Sequence, residues 1–170
     1  MEESLLNPAD LQAYIDQHGL RAQLILLPVP TPTVEAAAAA VGAKVEQIVK
    51  SLLFWIESEP IMVVASGPGH VDRRSLATYF TVGRKKVKLV GAEDVMEISG
   101  YPVGAVPPFG HRKKLMTLMD GSVLQDGEVY AGGGAEDHLM RVSPEEILQV
   151  TGATVLDLQV IGSDNEARMF

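Results

Sequence analysis

A chain of 170 residues, 46% of them apolar, can bury one full core without staples. It has no cysteine, which excludes a disulfide framework, thiolate catalysis and cysteine-ligated zinc. Its net charge of −8 argues against a general nucleic-acid binder, and its longest apolar runs are too short to span a membrane.

The opening MEESLLNPADLQAY is acidic and lacks an apolar signal region, so a cytoplasmic chain is expected. Asn7-Pro8 or Ser4 starts a helix through ADLQAYIDQHG, with Leu11, Tyr14 and Ile15 at helical spacing and Gly19 as the stop. AQLILLPV reads as a strand. TPTVEAAAAAVG reads as a helix capped by Thr33 and stopped by Gly42. KVEQIVKSLLFWIE begins as a short helix and runs into a buried strand, SLLFWI. SEP is a hairpin turn into the strand PIMVVASG, and GPGH is a loop.

DRRSLATYF is predicted as a helix, KKVKLV as a strand and GAEDVMEISG as a short helix. GYPVGAVPPFGH, residues 100–111, follows as a stiff loop. KLMTLMD and EVYAGG are strands joined through GSVLQDG, and MRV is another. SPEEILQVTG starts as a helix with Ser143 as cap, Pro144 at the first position and Glu146 at the third. ATVLDLQV ends as a strand or extended tail. Without repeats, linkers or a domain break, this reads as one mixed α/β domain over residues 1–170. Its sheet is mainly antiparallel or a partly closed barrel, with surrounding helices.

Residues 73–114 hold nine of the fourteen basic side chains and three acids, a local +6. That segregation makes either one basic face, with Arg84, Lys85 and Lys86 at its centre, or a set of solvated loops. Nucleophile systems are weak: there is no G-x-S-x-G, and Ser66 near His70 lies in a glycine-rich loop. The histidines His18, His70, His111 and His138 show no metal-binding spacing, and the GGG at 132–134 lacks the G-K-[ST] of a phosphate loop.

Three features carry chemistry. Lys50, between Ile48-Val49 and Leu52-Leu53, is either a snorkelling side chain or a cation at a pocket floor. If Pro107 and Pro108 lock their loop and Gly104 clears space, the amides of Gly104, Ala105 and Val106 can face a ligand oxygen. The glycines of GGGAEDH can pass close to a substrate and bring His138 to it.

A lysine in IVKSLLF, a GAVPPFG loop some fifty residues on and a late GGG…H, together with TPTVEAAAAAVGAKVEQIVKSLLF and SPEEILQVTGATVLDL, resemble the YbaK/prolyl-tRNA-synthetase editing-domain superfamily over residues 9–158. The resemblance implies an aminoacyl-tRNA deacylase acting in trans on the ester of a mischarged aminoacyl-tRNA, a hydrolase without cofactor or metal. It implies that Lys50 holds the terminal adenosine and its phosphate. The loop of Gly104, Ala105, Val106, Pro107 and Pro108 would grip the amino-acid end and place water, with His138 near the ammonium or the water. Thr33, Ser51, Gly133 and Gly134 would line the substrate, and Arg84, Lys85 and Lys86 would meet the tRNA backbone. Ser51 stands where other branches have Asn, and AGGGAEDH where others place Asp or Ser, so the amino acid removed is not assigned. A synthetase is a further expected partner, a membrane is not, and the oligomeric state stays open between monomer and homodimer. Two other readings stay open: a regulator holding a nucleotide or aminoacyl adenylate without turnover, and a synthetase-interaction domain.

Overall fold

The computed structural model describes residues 4–160; the ends of the expected 1–170 domain lie outside the described residues. Helix α1 (Pro8–Gln17) starts at Asn7, whose side chain accepts from the amides of Ala9 and Asp10 while Asp10 accepts from the Asn7 amide at 2.9 Å. The chain continues through β1 (Gln23–Leu26), α2 (Val34–Val41), β2 (Val49–Ile56), β3 (Glu59–Ser66), β4 (His70–Val71) and α3 (Arg73–Phe80). Then come β5 (Val87–Leu89), α4 (Ala92–Ser99), β6 (Met116–Asp120), β7 (Val129–Gly132), β8 (His138–Val142), α5 (Pro144–Thr151), β9 (Thr154–Leu156) and β10 (Gln159–Val160).

The mixed α/β class stands, but the expected single sheet divides into three. A five-stranded sheet has the order β5-β2-β3-β6-β9, with β3-β6 and β6-β9 parallel. A three-stranded antiparallel sheet has the order β1-β8-β7, and β4 pairs with β10. The reason lies on β2. One edge pairs with β3 along its whole length, while the other is shared: β5 takes Phe54–Ile56, and Ile48, just before β2, makes an isolated parallel bridge to Tyr130 of β7. The sheets therefore splay from one point of contact, and among the described residues no strand closes them into a barrel.

β2 also starts two residues earlier than predicted. Val49 and Lys50 pair with Ser66 and Ala65, and only Val45–Gln47 remains as a 3-10 turn. Lys50 thus lies inside a strand and not at its junction with a helix. Val49, Leu53, Met62 and Val64 face one apolar cluster with α1 and α5; Phe54, Ile61 and Val63 face another with Leu76 and Ala77 of α3. A third cluster sits under α2, where Val34, Ala37 and Ala38 meet Ile48, Tyr130 and Leu139.

Candidate active site

Lys50 is 3% exposed, and its Nζ donates to the carbonyl of Gly69 at 2.5 Å. A buried ammonium needs such a partner, since removing it from water costs several kcal/mol (~5). The bond ties β2 to the 67–69 loop. That loop is packed equally closely from the other side: a Cβ on Gly67 would stand 2.2 Å from the Val45 carbonyl oxygen of the 3-10 turn and 2.8 Å from Val34 Cγ1 of α2. The start of α2 is set by Thr33, whose Oγ1 accepts from the Ala36 amide at 3.0 Å.

The Ile48–Tyr130 bridge is parallel, so Lys50 and Gly132, each two residues further on, reach the same level. Gly132 in turn faces the proline loop. A Cβ there would meet the Val106 carbonyl oxygen at 2.3 Å and the Ala105 carbonyl carbon at 3.0 Å. Gly134, at φ +94, donates to the Ala105 carbonyl at 2.9 Å, and its Cβ would reach the Pro8 nitrogen at 3.0 Å. Gly133 lies against the backbone of His138. The space in front of each glycine is filled by protein backbone, so here their bareness lets three segments pack.

In the proline loop Gly104 takes φ +93, a left-handed conformation that a side chain would strain. Ala105, Val106, Pro107 and Pro108 are buried. The Ala105 amide donates to the Pro102 carbonyl at 3.0 Å, so it leaves the set of amides expected to face a ligand. The amides of Gly104 and Val106 have no acceptor among the described residues. Val106 is buried, and a buried amide is rarely left so; Gly104 is half-buried, and a ligand oxygen is one natural partner for both.

His111 was missed as a functional residue. Its Nε2 donates to the Pro107 carbonyl at 2.6 Å and fastens the loop from behind. Burial of the ring lowers its pKa to about 4, against the opposing pull of the Pro107 bond, so it is neutral at pH 7. Only its place at the end of GAVPPFGH hinted at this. Asp137 was missed too: its Oδ1 lies 2.7 Å from His138 Nδ1 and orients that ring at the first position of β8.

Ser51 is 4% exposed, and its Oγ has no hydrogen-bond partner among the described residues. Strand alternation turns it away from Lys50, toward the cluster that holds Val49, Leu53, Val106 and Ala131. Lys50, the 104–106 backbone, Gly132–Gly134 and His138 therefore converge at one end of β7. Arg84, Lys85 and Lys86 do not join them: they form a 3-10 turn beside the far end of β2. Two hollows open elsewhere. One, of about 610 Å³, lies behind the proline loop between Tyr14, Pro108, Phe109, Lys114 and Glu146; the other, of about 860 Å³, surrounds Trp55. Neither contains Lys50, Gly104 or His138, because the Gly69 carbonyl covers the amine and the loop is packed on β7.

Residues 29–150 match the family described as the aminoacyl-tRNA editing domain. A proline–tRNA ligase of Nitratidesulfovibrio vulgaris is 29% identical over 72% of this chain, which spans 22% of that enzyme. An Enterococcus faecalis protein, EbsC, provisionally named a Cys-tRNA(Pro)/Cys-tRNA(Cys) deacylase, is 25% identical over 73% of this chain and 75% of its own. A solved structure provisionally named a trans-editing enzyme for prolyl tRNA synthetase superposes with TM-score 0.84 and 34% identity, covering 90% of this chain and 96% of the other.

Proposed function

The chain belongs to the aminoacyl-tRNA editing-domain family, and from that premise we propose that it is a deacylase acting in trans on mischarged aminoacyl-tRNA in the cytoplasm. The observation that carries the reading is the convergence of a buried lysine with a rigid loop whose Gly104 and Val106 amides lack acceptors among the described residues. An aminoacyl ester is already activated, so placing water and stabilising the carbonyl oxygen suffice. Water adds at the acyl carbon, the bond to the 3′ ribose oxygen breaks, and that oxygen leaves with a proton as the free hydroxyl. The Gly104 and Val106 amides hold the oxyanion. Lys50 holds the terminal adenosine and its phosphate, exchanging the Gly69 carbonyl for a substrate oxygen. His138, aimed by Asp137, holds the water or the substrate ammonium. The ligase relative supports a place beside a synthetase.

The test is single-turnover hydrolysis of a panel of mischarged tRNAs. Lys50→Met keeps the stem and removes the charge, so it should leave the fold intact and lower the rate by roughly 10²-fold or more. Near-normal turnover in the folded variant would take Lys50 out of the site.

A further inference from the structure

The hollow of about 610 Å³ behind the proline loop lies where the C-terminal ends of α1 and α5 meet residues 108–111. One wall is apolar: Leu20, Leu115 and Val150 all pack on the main cluster. A second wall is aromatic. Tyr14 stacks on His18, with ring centroids 3.9 Å apart, and on Phe109 at 5.5 Å. Phe109 belongs to the proline loop, so this wall joins α1 to the loop.

Several polar groups around the hollow are already spent within the fold. Thr117 donates to the Leu115 carbonyl at 3.0 Å, Thr151 to the Ile147 carbonyl at 2.6 Å, and His111 to the Pro107 carbonyl. Two charges are not spent. Lys114 is exposed and pairs with no described residue. Glu146 accepts from the Arg21 amide at 2.7 Å through Oε2, and its Oε1 has no partner among the described residues. A cation and an anion thus line one hollow without pairing with each other, and a ligand that carries both opposite charges can meet both. The carbonyl ends of α1 and α5, at Gly19 and Thr151, add negative potential that favours an ammonium group. The volume lies in the range of about 300–1,000 Å³ usual for small-molecule sites.

We propose that this hollow binds a free α-amino acid with an apolar side chain. Lys114 holds its carboxylate, Glu146 its ammonium, and Leu20, Leu115 and Val150 its side chain. Binding there needs no ester and does not involve Lys50. A ligand packed against Phe109 and His111 also braces the proline loop from behind.

Calorimetric titration of the whole chain with L-leucine, L-phenylalanine, leucinamide, N-acetyl-leucine and L-aspartate tests this. The first two should bind. Leucinamide lacks the carboxylate, N-acetyl-leucine lacks the ammonium, and aspartate brings a charge to the apolar wall, so each should bind at least about tenfold more weakly. Lys114→Gln and Glu146→Gln should each raise the leucine Kd about tenfold. Both should fold, since Lys114 is exposed and glutamine at 146 still accepts from Arg21. Lys50→Met should leave the leucine Kd unchanged. At leucine about ten times its Kd, the Ala105 amide should exchange about tenfold more slowly, while the Val82 amide beyond α3 keeps its rate. No binding of leucine or phenylalanine at roughly 10 mM, tenfold above a Kd of ~1 mM, overturns the proposal. Equal binding of N-acetyl-leucine overturns it too, leaving an apolar pocket only. Binding lost in Lys50→Met but kept in Lys114→Gln overturns it by moving the ligand to the candidate active site. Leucine binding with the expected selectivity in a chain that hydrolyses no ester upholds the hollow and removes only the deacylase reading.

Discussion

Ser51 and Lys50 are neighbours on β2 with opposite problems. Lys50 is buried with a carbonyl in hand, whereas Ser51 is buried with an oxygen that no described residue meets. A buried polar group without a partner costs about 1–3 kcal/mol, and removing it can be neutral or stabilising. Ser51→Ala should therefore stabilise the free protein by about 1 kcal/mol, a rise of roughly 2–4 °C in Tm for a chain of this size. If the hydroxyl waits for substrate, the same variant should lose hydrolysis while gaining stability. A fall in Tm would instead mean that a bound water already satisfies Ser51. The sequence reading singled out both residues, but it could not separate them. Whether a polar side chain in a buried run has a partner depends on chain brought up from elsewhere, here Gly69.

At the scale of elements, residues 100–111 were legible as a stiff loop from their prolines and glycines, but what stiffens them was not. The His111–Pro107 bond depends on a ring rotamer fixed by packing beside Tyr101, whose ring lies 6.5 Å away edge-on. The glycines at 132–134 likewise announced a close approach without saying to what; the answer, backbone of the same proline loop, is non-local. The His111 pin makes a pH prediction with a definite sign. Its folded pKa, about 4, lies below the ordinary 6.5, so the unfolded chain takes up the proton first. Stability from this group is complete above pH 6.5 and is lost progressively as pH falls toward 4, about 3 kcal/mol in all. His111→Gln should remove that part of the acid sensitivity. Urea midpoints of both proteins at pH 7.5, 5.5 and 4.5 check it, and parallel pH profiles would show that His111 is already charged in the fold.

For the whole molecule, most elements were legible, β4 at His70–Val71 and the break between β9 and β10 apart, and their assembly was not. Helices at α2, α3, α4 and α5 follow from local caps and periodicity, whereas the division into three sheets turns on the single Ile48–Tyr130 bridge, 82 residues apart in sequence. The basic window shows the same limit. Lys85, Lys86 and Lys88 gather at one hollow, but Arg112 is drawn away to the carbonyls of Ser4 and Glu97, and Lys114 lines the other hollow. Closure of the fold rests on Asp120, 3% exposed at the end of β6. Its Oδ1 accepts from the amides of Leu158 at 2.6 Å and Gln159 at 3.0 Å, and its Oδ2 accepts from the Ser122 amide at 2.9 Å. Gln159 then clamps Ser66, accepting from its amide at 3.0 Å and donating to its carbonyl at 2.7 Å. Ser66 is the β3 residue opposite Val49, one step from Lys50 and from Gly67. One carboxylate thus seats β10 and, through it, the floor of the candidate site. Charge-assisted bonds contribute about 1.5–3 kcal/mol each, and losing the acceptor strands buried donors, so Asp120→Ala should cost about 4 kcal/mol. At roughly 2–4 °C per kcal/mol, its Tm should fall by about 10 °C. Gln159→Ala should cost less stability but loosen the Gly67–Gly69 loop, and so lower hydrolysis more than its Tm suggests. Thermal unfolding followed by circular dichroism, with single-turnover rates well below each Tm, separates the two. A drop under about 2 °C for Asp120→Ala would mean that residues 158–160 lie outside the cooperative unit and that β3 holds the site without them.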